Sequence, residues 1–163
     1  MAAATSQRTD LLFLCVANSA RSQIAEGLAR AMVPGSIGIH SAGSIPGRLH
    51  PLATRVLAEI GIDISHQRSK AIREVPTERI AIVITLCGEE ECPVFPGEIE
   101  ILHWPLADPS DGSDSASDAL GRFRETRDAI RARLRTFFDE RATQTNAADP
   151  EDLDYARLPI RQA

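Results

Sequence analysis

Asp10-Leu-Leu-Phe-Leu-Cys15-Val-Ala-Asn-Ser-Ala-Arg21-Ser22 decides how this chain is read. Leu11 to Leu14 is an apolar run of strand length, and Cys15 ends it. From Gln23 the apolar positions Ile24, Leu28 and Met32 recur one helical turn apart. A buried strand therefore hands over to a helix N-terminus, with a cysteine at the junction and an arginine six positions on. A helix N-terminus leaves N–H groups unpaired and carries partial positive charge. The short residues Val16, Ala17, Asn18, Ser19 and Ala20 let such groups converge on a tetrahedral anion. Arg21 adds a planar, bidentate clamp. The same field favours the thiolate of Cys15, its nucleophilic form. Ser22 can donate to that sulfur or cap the helix.

Outward from this stretch, strands and helices alternate. Ile37 to Ala42 reads as a second strand, Ile80 to Thr85 as a third and Ile99 to Leu102 as a fourth. Pro51 opens a helix whose apolar face is Leu52, Val56, Leu57 and Ile60. A short helix is expected near Ala71 to Val75. Leu120, Phe123, Ile130, Leu134 and Phe137 mark one face of a long helix. This alternation predicts an α/β fold with a parallel sheet covered on both faces. Ligands in such sheets bind beyond the carboxyl ends of the strands. Cys15, Ser41, Cys87 and Asp108 all fall there. Ser41 serves either as a strand-end turn residue or as a brace beneath the anion loop. One domain is expected over residues 10–142, with a flexible tail at 1–9 and a loose tail at 143–163.

The composition narrows the function. A net charge of −5 argues against a nucleic-acid footprint, so an oxyanion would be held by local dipoles and Arg21. No apolar run approaches the roughly 20 residues of a membrane span. Met1 to Thr9 lacks the apolar core of a secretory signal, which implies the cytoplasm. Three cysteines, Cys15, Cys87 and Cys92, are too few for a secreted disulfide scaffold. In a reducing compartment a disulfide among them would be transient and catalytic. Zinc is the rival use, but the Cys87–Cys92 spacing exceeds that of a typical pair and no second Cys/His pair accompanies it. His50 and His66 also lack partners at ligand spacing, so no metal site is expected.

Cys15 to Ser22 resembles the anion loop of the low-molecular-weight protein tyrosine phosphatases and of the arsenate reductases that share their fold. Gln23-Ile-Ala-Glu-Gly27 fits the reductase branch, and the similarity runs from about Leu11 to Phe138. It implies a four-stranded parallel sheet in the order 2-1-3-4 with helices on both faces. Asp108, before Pro109, matches the general acid that protonates a leaving oxygen. Thr85-Leu86-Cys87 and Cys92-Pro93, with His103-Trp104 downstream, resemble the redox segment of thioredoxin-coupled arsenate reductases. That segment is shorter here, and Ala20 stands where some members carry another cysteine. The resemblance implies a relay. Cys15 attacks arsenate, Cys87 displaces arsenite from Cys15, and Cys92 resolves the disulfide to Cys87–Cys92. Thioredoxin, or a glutathione–glutaredoxin pair, would then restore the thiols, with no bound cofactor and with phosphate or sulfate as competing oxyanions. A tyrosine phosphatase and a noncatalytic thiol redox sensor are the alternatives. Some members bind potassium beside the anion loop. Asn18, Glu26 and Ser41 match that site, and Lys70 stands at its remaining carboxylate. The Lys70 ammonium is expected to take the place of the cation.

Overall fold

The apolar runs form four strands, β1 (Asp10–Cys15), β2 (Ile39–Gly43), β3 (Ile80–Thr85) and β4 (Glu100–His103). They pair in parallel in the order β2-β1-β3-β4. The computed structural model describes residues 8–88, 92–112 and 115–145. Among these residues three α-helices accompany the sheet, α1 (Arg21–Met32), α2 (Pro51–Ala58) and α3 (Ala116–Thr145).

Strand alternation divides the core in two. Leu11, Phe13, Ile82 and Ile84 face Ile24 and Leu28 of α1, Val56 and Leu57 of α2, and Phe123, Ile130 and Leu134 of α3. Leu12, Leu14 and Val83 face the other way, against Val75 and Phe95. That second face is covered by the helical turn Ile72–Glu74 and by the chain after Cys92. Gly27 lets the helices close on the first face. A Cβ there would lie 2.5 Å from Ile64 Cγ2 and 2.7 Å from Leu57 Cδ1. That contact explains a glycine inside a helix, where it otherwise costs about 1 kcal/mol.

The amino end of the sheet is locked by buried Asp10. It accepts from His40 Nε2 at 2.9 Å, Arg79 Nε at 3.0 Å and Thr9 Oγ1 at 3.0 Å. Burial pushes its carboxyl up, but these hydrogen bonds outweigh that and hold it below the ordinary aspartate range.

Element ends differ from the sequence reading. β2 starts at Ile39, because Ile37 N–H closes a turn onto Pro34 O. The helix expected at Ala71 to Val75 is a single 3₁₀ turn, Ile72–Glu74. α3 continues through Thr145, so the chain at Thr143 is still helical. Residues 1–7 and 146–163, which hold most of the two expected tails, lie outside the described residues, as do Glu89 to Glu91.

Candidate active site

The chain from Cys15 to Ser22 leaves the carboxyl end of β1 and wraps into α1. Four of its carbonyls, those of residues 16–19, accept from groups beyond the loop. Val16 O accepts from Ile45 N at 3.0 Å, and Ala17 O from Gly47 N at 2.9 Å and Ser69 Oγ at 2.8 Å. Asn18 O accepts from Gln23 Nε2 at 3.0 Å and Ser19 O from His50 N at 2.9 Å. Across a planar trans peptide the next N–H points opposite the carbonyl. The N–H groups of Ala17, Asn18, Ser19 and Ala20 are thereby turned inward, as an anion cradle requires. The left-handed turn falls on Asn18, with φ 47°, a conformation asparagine tolerates. Gly43 lies beneath the loop because nothing larger fits: a Cβ would stand 2.4 Å from Val16 O.

Buried Asn18 organises the polar floor. Its amide Nδ2 donates to Ser22 Oγ at 2.8 Å and to Ser41 Oγ at 2.9 Å. Ser41 donates to Glu26 Oε2. Ser22 Oγ lies 2.8 Å from Cys15 Sγ, within reach to donate to the sulfur when it is a thiolate. Asn18 Oδ1 accepts from Lys70 N at 2.8 Å and Gln23 Nε2 at 3.1 Å. Lys70 Nζ lies 3.6 Å from Glu26 Oε2, and Arg30 Nη2 lies 2.7 Å from Glu26 Oε1. Burial pushes the Lys70 ammonium below the ordinary lysine value, opposed by the Glu26 carboxylate.

Arg21 is only 3% exposed and ties the rim together. Nη1 donates to Leu106 O at 2.9 Å and Leu86 O at 3.5 Å, and Nη2 to Asp108 Oδ2 at 3.2 Å. One guanidinium therefore joins the anion loop, the stem of the cysteine segment and the Asp108 loop. Asp108 Oδ1 accepts from Ser110 N at 2.9 Å and Ser110 Oγ at 2.6 Å. Leu86 N donates to Leu14 O at 2.8 Å, which sets Cys87 beside the end of β1. Cys87 and Cys92 are joined in a disulfide with Cα atoms 5.6 Å apart, and Cys15 is a free, buried thiol. Among the described residues no cluster of metal-ligating side chains occurs.

Sequence reasoning missed the glutamine supports of the loop. Gln67 Nε2 donates to Gln23 Oε1 at 2.7 Å, and Gln23 in turn holds Asn18. Neither glutamine carries a signal in a lone sequence. His50 did carry one, its place before Pro51 at a helix start. Its Nδ1 accepts from Leu52 N at 3.1 Å as the cap of α2, and its ring stacks on Phe123 at 4.6 Å. An imidazole that accepts at Nδ1 must be unprotonated there. Burial accordingly holds His50 below its ordinary value of 6.5, with Asp108 opposing. The unfolded chain then binds the extra proton first. Stability is complete above about pH 6.5 and falls as the pH drops from there toward the lowered folded value. Denaturation midpoints between pH 8 and 5 should fall more steeply for the wild type than for His50→Asn, which keeps a capping acceptor without titrating.

The profile of the low molecular weight phosphotyrosine protein phosphatase family matches residues 10–148, and the chain belongs to that family. Arsenate reductases are among the relatives it resembles within that family. One from Halalkalibacterium halodurans is 36% identical over 129 residues, covering 78% of this chain and 93% of the relative. An arsenate reductase solved in its phosphate-binding state superposes with a TM-score of 0.69 at 32% identity, over 81% of this chain and 98% of that one. A thioredoxin-dependent arsenate reductase of Corynebacterium glutamicum gives 0.64 at 32% identity, over 83% of this chain and 62% of that one.

Proposed function

We propose that this protein reduces arsenate to arsenite through Cys15, Cys87 and Cys92, with thioredoxin restoring the thiols. The observation that carries the reading is the pairing of a Cys87–Cys92 disulfide with a free Cys15 in the anion loop. A phosphatase needs only the nucleophile and the acid, whereas a two-electron reduction needs two further thiols. The donors of residues 17–20 and Arg21 bind the tetrahedral anion, with phosphate and sulfate as competitors. Cys15 thiolate forms a bond to arsenic, and Asp108 protonates the departing hydroxide. Cys87 thiolate then attacks the Cys15 sulfur. The S–As bond breaks, its electron pair stays on arsenic, and arsenite leaves. Cys92 attacks Cys87, and Cys15 departs as a thiolate onto the Ser22 hydroxyl.

The test is arsenite release with thioredoxin, thioredoxin reductase and NADPH, run beside aryl phosphate hydrolysis without reductant. Sustained arsenite release supports the reductase. Aryl phosphate turnover without arsenite release would make the protein a phosphatase, and peroxide-induced disulfide formation alone would make it a redox sensor.

The same reading covers the floor of the loop. Glu26 already faces two cations, Arg30 and Lys70, and both Asn18 amide atoms are engaged. This donor set does not fit a potassium ion. Activity should therefore differ by less than about twofold between potassium and sodium salts at equal ionic strength. A strong, potassium-specific activation would contradict the role given to Lys70. Among the described residues no helix is long and apolar enough to cross a membrane.

A further inference from the structure

The disulfide presents its two sulfurs unequally. Cys87 is 6% exposed at the stem of its segment, whereas Cys92 is half-buried further out. An external thiolate must approach in line with the S–S bond, so the outer sulfur is the one within reach. Two residues on, Val94 is 86% exposed, the highest value among the large apolar side chains described. Its neighbour Phe95 is 5% exposed and packed against Leu12, Leu14 and Val83. The segment is thus pinned to the sheet at Phe95 and holds Val94 out in solvent.

A lone exposed valine is ordinary. Its position here is not. Attack forms a mixed disulfide about 2 Å long, and two residues of chain reach at most about 7 Å. A protein that orients itself for this step covers on the order of 800 Å² of its partner. Val94 therefore lies inside the footprint of any protein thiol that reaches Cys92. A branched, stiff apolar side chain loses little freedom when covered.

We propose that Val94, beside Cys92, is the apolar anchor on which the reducing protein docks, and that this partner is a dithiol protein of the thioredoxin class. The proposal rests on the reading of function above. The partner's thiolate bonds to Cys92 Sγ, the Cys87–Cys92 bond breaks, and its electron pair leaves on Cys87. The partner's second thiolate then attacks its own half of the mixed disulfide and releases Cys92 as a thiolate. The two electrons come from the partner, which departs as a disulfide.

The test compares Val94→Asp and Val94→Ser with wild type in steady-state arsenite release, driven either by thioredoxin with its reductase and NADPH or by dithiothreitol. Dithiothreitol needs no docking surface and reports whether fold and relay are intact. KM for thioredoxin should rise about tenfold for Val94→Asp and less for Val94→Ser. Dithiothreitol-driven rates should stay within about twofold of wild type. An unchanged KM for thioredoxin in both variants would overturn the anchor while leaving the reductase reading intact. Equal losses with both reductants would overturn it too, by showing that Val94 serves the relay. If wild type turns over with dithiothreitol or glutathione but not with thioredoxin, the reductant assigned above falls and the docking surface falls with it.

Discussion

Cys15→Ser should abolish arsenate reduction, lowering the rate by about 10⁴-fold or more. A serine hydroxyl is far less acidic than a thiol and at neutral pH does not supply the anionic nucleophile that cysteine does. Ser22 Oγ, 2.8 Å from the residue-15 side chain, also accepts from Asn18 and is a hydroxyl, not a base. Sulfate binding should survive in this variant, because the inward N–H groups depend on the carbonyl contacts of Ile45, Gly47, Ser69, Gln23 and His50. Arg21→Lys should lose about a hundredfold, and binding with it. The guanidinium reaches Leu106 O, Leu86 O and Asp108 at once. An ammonium cannot span those acceptors and also grip the anion with a planar fork. Both effects are read from arsenite release and from sulfate titration. Near-wild-type turnover by either variant would remove the anion loop from the reaction.

Cys87→Ser and Cys92→Ser should stop at different points. Without Cys87 nothing displaces arsenic from Cys15, and arsenite is not released. Without Cys92 the first displacement still occurs, so about one arsenite per chain leaves and the protein stops as a Cys15–Cys87 disulfide. Thioredoxin should reach that bond poorly, since Cys15 is 2% exposed and Cys87 6%. Single-turnover arsenite release followed by peptide mapping distinguishes the two. Multiple turnovers by Cys92→Ser with thioredoxin alone would refute the three-cysteine order and favour a two-cysteine cycle.

Much of this architecture was legible because its causes are local. Leu11 to Leu14 and Ile80 to Thr85 are apolar runs of strand length, and they became β1 and β3. Cys15, Ser41, Cys87 and Asp108 could be placed at one rim because a parallel sheet gathers its strand ends there. The structure sets Cys15 opposite Gly43 and Thr85 opposite His103 along that rim. The Arg21–Asp108 pair was not legible, since a sequence separation of 87 gives no local signal. Neither was the work of Gln23, Gln67 and Ser69. Their contacts go to backbone atoms, to the Asn18 side chain or to one another across the fold, and none of these is signalled by the residue type alone. The end of α3 was misplaced for a related reason. Its last turns keep helical hydrogen bonds after the apolar spacing has faded, because helix propagation does not need a buried face at every turn.

The most direct test of the relay uses the fully reduced protein and arsenate, with no reductant present. Arsenite release and the thiol state of each cysteine are measured together by quenched alkylation and peptide mapping. The relay predicts about one arsenite per chain, a Cys87–Cys92 disulfide and an alkylatable Cys15. Arsenite release with Cys87 and Cys92 both still free, or a disulfide that forms without any arsenite, would contradict it.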